Sequence, residues 1–326
     1  MAGYNALLFF IPLVGCANLD LSSLVSAVKT DPSDSASWKR LGKVLLDDGE
    51  VAEAYRIFRL GALHCPADSA LGHYLRVYEV WDGDDGSSSS ETFEPIHREE
   101  VFLSLDVPPD AAPKDIVAAE GGNLHLVHAS KQPLFLASDC ARLIEHAIST
   151  ASDQGWTKDR HVHAPTCDVA CHELPAEAVS WVRQSLRQVL YPAICACFPG
   201  SVSDPTSLRC QDCFVVRYDG DSEMDASRPG FASLKPHQDE STFSVTVALN
   251  DRSEYEEGGL WIASTGDVLN GDSGTTLCFC GEIVHGGYPV RRGTRWIWTV
   301  FLYVDKNGSG NHPGYIEQQI TSGLAR

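Results

Sequence analysis

Four residues in the last third of the chain have types and spacing that could do chemistry. They are His237-x-Asp239, His285 46 residues beyond Asp239, and Arg295 ten residues further on. Two imidazoles and one carboxylate can occupy one triangular face of a six-coordinate metal and leave the other face open, which is the donor set of a mononuclear Fe(II) centre that activates dioxygen. In an extended segment, side chains two apart face the same way, so His237 and Asp239 can reach one ion while Gln238 points elsewhere. The third ligand must then come from a distant strand, and His285 follows the run Thr275–Gly281. Arg295 opens the run Arg295–Val304, with Ile297, Thr299 and Phe301 on its face. An arginine on a mostly apolar inward face is costly unless paired, so it calls for an anion, and a guanidinium binds a carboxylate through two parallel hydrogen bonds. Arg291 and Arg292 suit ion pairs at a rim. Either histidine alone reads more simply as a surface or hydrogen-bonded core residue. The order and spacing of all four favour a metal site with an anion anchor beside it.

The elements that must position these residues are legible in outline. Phe214–Tyr218, Phe243–Leu249, Thr275–Phe279 and Trp296–Val304 are β-branched or aromatic runs separated by Gly, Asp and Ser clusters, an all-β texture for which a double-sheet jelly roll is one of few compact solutions. Two helices precede them. Cys140, Leu143, Ile144, Ala147 and Ile148 share a face over Asp139–Thr150, with Ser138 able to cap, and Val179, Val182, Leu186 and Val189 mark a helix over Ala176–Leu190. Such helices can cover the outer face of one sheet. Residues 92–130 carry short apolar runs, Val101–Val107 and Leu124–Val127, expected as accessory strands.

The N-terminal region has a different pattern. Pro32 and Pro66 are 34 residues apart, and the residues before them align as Tyr4 with Trp38, Leu7 with Leu41, Leu24 with Phe58 and Ala27 with Gly61. Trp38, Leu41, Gly42, Ala54, Phe58 and Pro66 fall where a tetratricopeptide repeat wants an aromatic, Leu, Gly, Ala, Phe and Pro. Residues 1–81 thus read as one good and one degenerate helical repeat, Asp20 replacing a small residue in the first. A pair is too few to stand alone, so it has to pack on the next domain or on a partner. Asp82–Glu91 is Gly/Ser-rich and polar, a linker by composition. The expected organisation is a tetratricopeptide-like region at 1–81, linker and accessory strands at 82–130, a catalytic domain at 131–306 and a C-terminal tail at 307–326.

Composition bounds the function. The 326 residues carry a formal net charge of −19, and 43% are hydrophobic. That acidity argues against nucleic acid or an anionic membrane as main partner, since a phosphate-tracking surface needs a basic patch. Eleven cysteines include Cys195/Cys197, Cys210/Cys213 and Cys278/Cys280. Cys210-x-x-Cys213 is half of a zinc pattern with no second half, and on a regular strand the two thiols point to opposite faces. His161-x-His163 and Cys171-His172 lie in a polar stretch without a matching pair and read as a loop near the site entrance. Ala6–Gly15 is an apolar run of signal-peptide length, lacking a preceding basic residue and too short to span a bilayer. A cytoplasmic location goes with the repeat reading and a secretory one with a signal at residues 1–17.

Here a resemblance becomes specific. Phe214-Val-Val-Arg-Tyr218, Leu234-Lys-Pro-His237-Gln-Asp239-Glu-Ser-Thr-Phe243, Val247-Ala-Leu-Asn250, Glu257-Gly-Gly259 and His285-Gly-Gly-Tyr-Pro-Val290 with Gly293-Thr-Arg295 resemble the prolyl and lysyl hydroxylase family of 2-oxoglutarate-dependent oxygenases, the stretch Phe214–Asp305 being most like procollagen lysyl hydroxylases. With the preceding helices the resemblance reaches back to Pro133. It implies an α+β chain whose double-stranded β-helix holds Fe(II) on His237, Asp239 and His285. It also implies 2-oxoglutarate on Arg295 with Tyr218 as a second contact, and L-ascorbate as the agent that re-reduces iron. The chain departs from the family in a long polar Asp219–Ser233 segment and a short Trp261–Ser273 connection. Both flank the mouth of the site, so substrate identity is what they put in question. The alternatives to a protein or peptide hydroxylase are a small-molecule hydroxylase on the same core and a non-enzymatic repeat-containing adaptor.

Overall fold

The computed structural model describes residues 21–81, 96–158, 161, 164–220, 230–306 and 315–324. In chain order these form α1 (Leu21–Thr30), α2 (Ser35–Asp47), α3 (Val51–His64), α4 (Ser69–Trp81), α5 (Arg98–Val101), β1 (Phe102–Asp106), α6 (Lys114–Ala119), β2 (His125–Ser130), α7 (Ala137–Gln154), β3 (Asp168–Ala170), α8 (Ala176–Ser185), α9 (Tyr191–Cys197), β4 (Leu208–Asp219), β5 (Leu234–His237), β6 (Phe243–Ala248), β7 (Tyr255–Ile262), β8 (Val268–Leu269), β9 (Thr276–Cys280), β10 (His285–Val304) and α10 (Tyr315–Leu324).

The strands pair antiparallel in two layers. One runs β1-β2-β9-β6-β10-β4-β3, the other β5-β10-β7-β8. β10 belongs to both: its first half pairs β5 and β7, and from Thr294 onward it pairs β4 and β6. Gly293 makes the passage with φ +77, and a Cβ there would lie 2.3 Å from the Glu254 carbonyl oxygen, so only glycine fits. Seven strands facing four, with β10 shared, is a jelly-roll arrangement with one enlarged layer. β1 and β2 extend the larger layer through β9, so both accessory strands join this sheet.

Strand alternation decides what faces the interior. On β10, Trp296, Trp298, Val300 and Leu302 pack outward in one core with Leu143 and Ala147 of α7 and Val182 of α8. Ile297, one step out of phase, packs inward with Phe214, Val216 and Tyr218 of β4 and Tyr255 of β7. The helix over Ala176–Leu190 does not stop at Leu190. A π-helical turn at Leu186–Leu190 carries it into α9, whose second residue is Pro192. The wider turn accommodates a residue that has no N–H to donate. Cys210 and Cys213 correct another expectation. The β4–β10 register shifts at Gln211, so this bulge turns both thiols into the same core, where they are buried and hydrogen-bonded to one another. No disulfide joins the described cysteines.

Residues 21–81 are helical. Trp38, Leu41, Ala54 and Phe58 are buried between α2 and α3. Gly42 and Gly61 let the two helices touch: a Cβ on Gly61 would lie 2.8 Å from that of Trp38. Asp34 caps α2 through the Ala36 N–H, and Asp68 accepts from the N–H groups of Ala70 and Leu71 at the start of α4. The region packs on the strands, with α4 against β4 and Lys43 donating to the Tyr303 hydroxyl at 3.2 Å. Residues 307–326, expected as a tail, include α10, which docks on α1 and α3 with Ile320 fully buried. Buried Glu53 accepts the Glu317 N–H at 2.7 Å and pairs with Arg56, which fastens α10 to α3. Tyr4 and Leu7 of the expected first repeat unit, the apolar run Ala6–Gly15 and the linker Asp82–Glu91 lie outside the described residues, whereas Leu24 and Ala27 of that unit lie on α1. Among the described residues no helix is long and apolar enough to cross a membrane.

Candidate metal centre

His237 ends β5, His285 begins β10, and the two are register partners. β5 contains Pro236, which a strand tolerates at a sheet edge, and β5 is the edge of the smaller layer. Asp239 follows β5 in a turn that Gly281 fixes, since the Asp239 N–H donates to the Gly281 carbonyl at 2.8 Å. These elements bring three ligand atoms, one each from His237, Asp239 and His285, within 4.8 Å of one another, and among the described residues this is the one such group. His237 Nε2 lies 3.2 Å from one Asp239 carboxylate oxygen and His285 Nε2 lies 3.4 Å from the other.

The donor set and its surroundings fit a divalent metal. Each imidazole donates Nδ1–H to the backbone carbonyl two residues earlier, His237 to Lys235 and His285 to Ile283, both at 2.8 Å. That fixes the tautomer that turns the Nε2 lone pair inward, the usual second contact of a metal-ligating histidine. Ser244 Oγ donates to Asp239 Oδ2 at 2.5 Å and is 2.9 Å from Ser241 Oγ. Ser244 was not singled out in the sequence. Its signal was a small polar residue at an inward position of the apolar run Phe243–Leu249. Burial pushes the Asp239 carboxyl up, but the charges of His285 and His237 and the Ser244 hydroxyl outweigh it, so Asp239 sits below its usual range. Burial pulls His237 down, yet its hydrogen bond to Asp239 and that carboxylate's charge leave it raised. His285, which packs edge-on against Phe279 at 4.7 Å, is held low by burial.

Arg295 is 4% exposed, and its Nε has no hydrogen-bond partner among the described residues. It stands opposite Tyr218 in the β10–β4 ladder, and its Cζ is 5.7 Å from the centre of the Tyr218 ring. Tyr218 is equally buried, and burial pushes its phenol up to about 12 against the opposing pull of Arg295. A buried guanidinium without an anion is an unfinished interaction, and it fits the carboxylate of a small acid entering the jelly-roll interior. The rim arginines behave differently: Arg291 and Arg292 pair with Glu256 at the surface.

Among the described residues, the other clusters of the sequence do not converge on a second metal site. The His161 ring packs on Phe214 at 4.6 Å, the His172 ring lies 5.0 Å from that of His73, and His163 is outside the described residues. The Trp261–Ser273 connection is not a plain loop. It contains the end of β7 and all of β8, which pair with each other. β7 itself went unforeseen because Glu257, Gly258 and Gly259 break strand alternation, all three with positive φ.

No protein-family model matches the chain. Curated relatives do. The multifunctional procollagen lysine hydroxylase and glycosyltransferase LH3 of Rattus norvegicus is 31% identical over 183 residues, 52% of this chain and 22% of that protein. Human procollagen-lysine,2-oxoglutarate 5-dioxygenase 1 is 29% identical over 180 residues, 52% of this chain and 23% of that protein. The chain therefore spans about a fifth of the length of the curated relatives it matches. Among solved structures, a Pseudomonas putida prolyl-4-hydroxylase aligns at TM-score 0.40 and 17% identity, covering 61% of this chain and 99% of that one. Through its C-terminal half, the chain is related in sequence to the procollagen lysyl hydroxylases.

Proposed function

We propose that this chain is an Fe(II)- and 2-oxoglutarate-dependent dioxygenase that hydroxylates a C–H bond on a prolyl or lysyl side chain of a protein or peptide. The observation that carries the proposal is the pairing of two features in one jelly roll: a His/Asp/His cluster with inward lone pairs, and a buried guanidinium whose Nε has no partner. The sequence relationship supports the same reading.

In this reading His237, Asp239 and His285 hold the metal, and Ser244 keeps the Asp239 carboxylate aimed at it. Arg295 takes the distal carboxylate of 2-oxoglutarate, and the Tyr218 hydroxyl is a second contact. Phe214, Val216 and Ile297 line the interior and keep water from it, which strengthens the Arg295–carboxylate attraction. The metal, when bound, supplies the coupling of 2-oxoglutarate decarboxylation to O2 reduction, giving succinate, CO2 and the hydroxylated product. No side chain has to act as a general base. L-Ascorbate serves to return the metal to its reduced state.

The domain organisation belongs to this proposal: a tetratricopeptide-like region at 1–81, linker and accessory strands at 82–130, and the dioxygenase domain at 131–306. The 34-residue interval between the helix-capping Asp34 and Asp68 supports the repeat. A polypeptide substrate agrees with a repeat packed beside the catalytic domain.

The test is direct. Anaerobic addition of Fe(II) and 2-oxoglutarate is expected to produce a weak visible charge-transfer band, and admission of O2 to release succinate. A protein that gives neither is not this enzyme. Succinate release stimulated by Pro- or Lys-containing peptides, and not by the free amino acids, is expected. Stimulation by free amino acids alone would favour a small-molecule hydroxylase.

A further inference from the structure

One polar side chain outside the metal cluster is placed to govern the seat of Arg295. Asn270 follows β8 and uses its amide completely. Its oxygen accepts the Tyr255 hydroxyl at 2.9 Å and the Gly271 N–H at 3.1 Å, while its nitrogen donates to the carbonyls of Glu257 and Gly258 at 3.3 Å each. Those two carbonyls belong to the irregular part of β7. Glu257 has φ +67, the one positive φ at a non-glycine among the described residues, followed by Gly258 at +72 and Gly259 at +135. Three consecutive residues in such conformations persist only when their surroundings hold them. The β10 register slips at the edge of this stretch, between Val290 opposite Glu257 and Arg292 opposite Glu256, so regular pairing breaks off at Glu257.

The stretch touches the anchor. A Cβ on Gly258 would lie 3.0 Å from Arg295 Cδ, 3.1 Å from Val290 Cγ2 and 3.3 Å from the Tyr255 ring. Gly258 therefore lies against the arginine stem, with the Tyr255 ring beside it, and Asn270 bonds to both. We infer that Asn270 is a positioning residue for the co-substrate anchor: it clamps Glu257–Gly258 and Tyr255 so that Arg295 presents its guanidinium to the distal carboxylate. The inference rests on the proposed 2-oxoglutarate reading and adds to it a residue that keeps the dicarboxylate anchor in place.

The test measures binding rather than turnover. The Zn(II)-loaded protein is titrated by calorimetry with 2-oxoglutarate and with 2-oxovalerate, which has the same chain length without the distal carboxylate. The wild-type protein is expected to prefer 2-oxoglutarate strongly. Asn270→Ala leaves a hydroxyl and two carbonyls unpartnered and is expected to lose about tenfold of that preference. Zn(II) binding and 2-oxovalerate affinity should stay at their wild-type values. Tyr255→Phe, which removes one hydroxyl and keeps the ring, is expected to act in the same direction by a smaller factor. If both variants keep the full preference, or lose both acids equally along with the metal, Asn270 is not a positioning residue. If the wild-type protein shows no preference at all, the 2-oxoglutarate reading itself fails.

Discussion

Arg295 stands directly opposite Tyr218 in the β10–β4 ladder, and no anion among the described residues pairs with its guanidinium, although both side chains are 4% exposed. The next inward residue of β10 is Ile297, and its partners on β4 are apolar, so neither the strand nor its neighbour supplies a carboxylate. The metal cluster and the anchor are consequently separable. Asp239→Ala is expected to abolish metal binding while leaving the fold intact. Arg295→Ala is expected to keep the metal and raise the 2-oxoglutarate requirement by about a hundredfold, the scale of a lost charge-assisted bidentate pair. Metal titration and succinate kinetics on the two variants decide this. An unchanged 2-oxoglutarate requirement in Arg295→Ala would reject the anchor.

Ser244 tests whether the carboxylate has to be held. It faces inward from β6 and donates at 2.5 Å to the Asp239 oxygen that lies 3.4 Å from His285 Nε2. Removing such a supporting contact costs roughly 10- to 100-fold in metal affinity. Ser244→Ala is therefore expected to weaken Fe(II) or Mn(II) binding by that order, with 2-oxoglutarate affinity at saturating metal little changed. Wild-type metal affinity in this variant would mean that the Asp239 backbone contact to Gly281 suffices.

How much of this was legible follows from which residues obey a period. Arg295, Ile297, Thr299 and Phe301 at alternate positions are strand arithmetic, and that arithmetic holds wherever pairing is regular, whereas Asp239 meets His237 from the turn that follows β5. The arithmetic fails where the backbone departs from it. The extra residue Gln211 turned Cys210 and Cys213 to the same side, and Glu257-Gly258-Gly259 concealed β7. β5 was concealed by Pro236, which reads as a strand breaker until the strand is known to be an edge. The helix through Pro192 continued because a π-helical turn absorbs the missing donor. Asn270 was invisible for another reason: it acts through Tyr255, Glu257 and Gly258, which lie 12 to 15 residues away, and no local pattern reports that.

His128 carries the acid sensitivity of the β1–β2 layer. It is fully buried, with Nδ1 2.9 Å from Ser104 Oγ and its ring edge-on to Phe198. Burial, aided by the Arg98 charge, holds its pKa down to about 4 from the ordinary 6.5. The unfolded chain thus takes up the proton more readily than the folded one. The stability tied to the neutral ring is complete above the unfolded pKa and is lost as pH falls from 6.5 toward 4. Between about pH 7 and about pH 5 this amounts to about 2 kcal/mol. Urea unfolding at the two pH values should show that loss in the wild-type protein and a smaller one in His128→Gln. Equal losses in both would place the acid sensitivity elsewhere.

The α2–α3 contact makes a prediction opposite to ordinary helix propensity. In an exposed helix, replacing glycine by alanine stabilises by up to about 1 kcal/mol. At Gly42 the added Cβ would lie 2.1 Å from Phe58 Cε1. The Phe58 ring cannot easily move aside, because it is stacked on Tyr74 at 4.6 Å and meets the edge of Tyr55 at 5.9 Å. Overpacking of this kind costs roughly 1–3 kcal/mol, which exceeds the propensity gain. Gly42→Ala is therefore expected to lower the unfolding midpoint, and Phe58→Leu in the same chain to recover part of the loss by giving the methyl group room. If Gly42→Ala instead stabilises the protein, the two helices do not pack as closely as this contact requires.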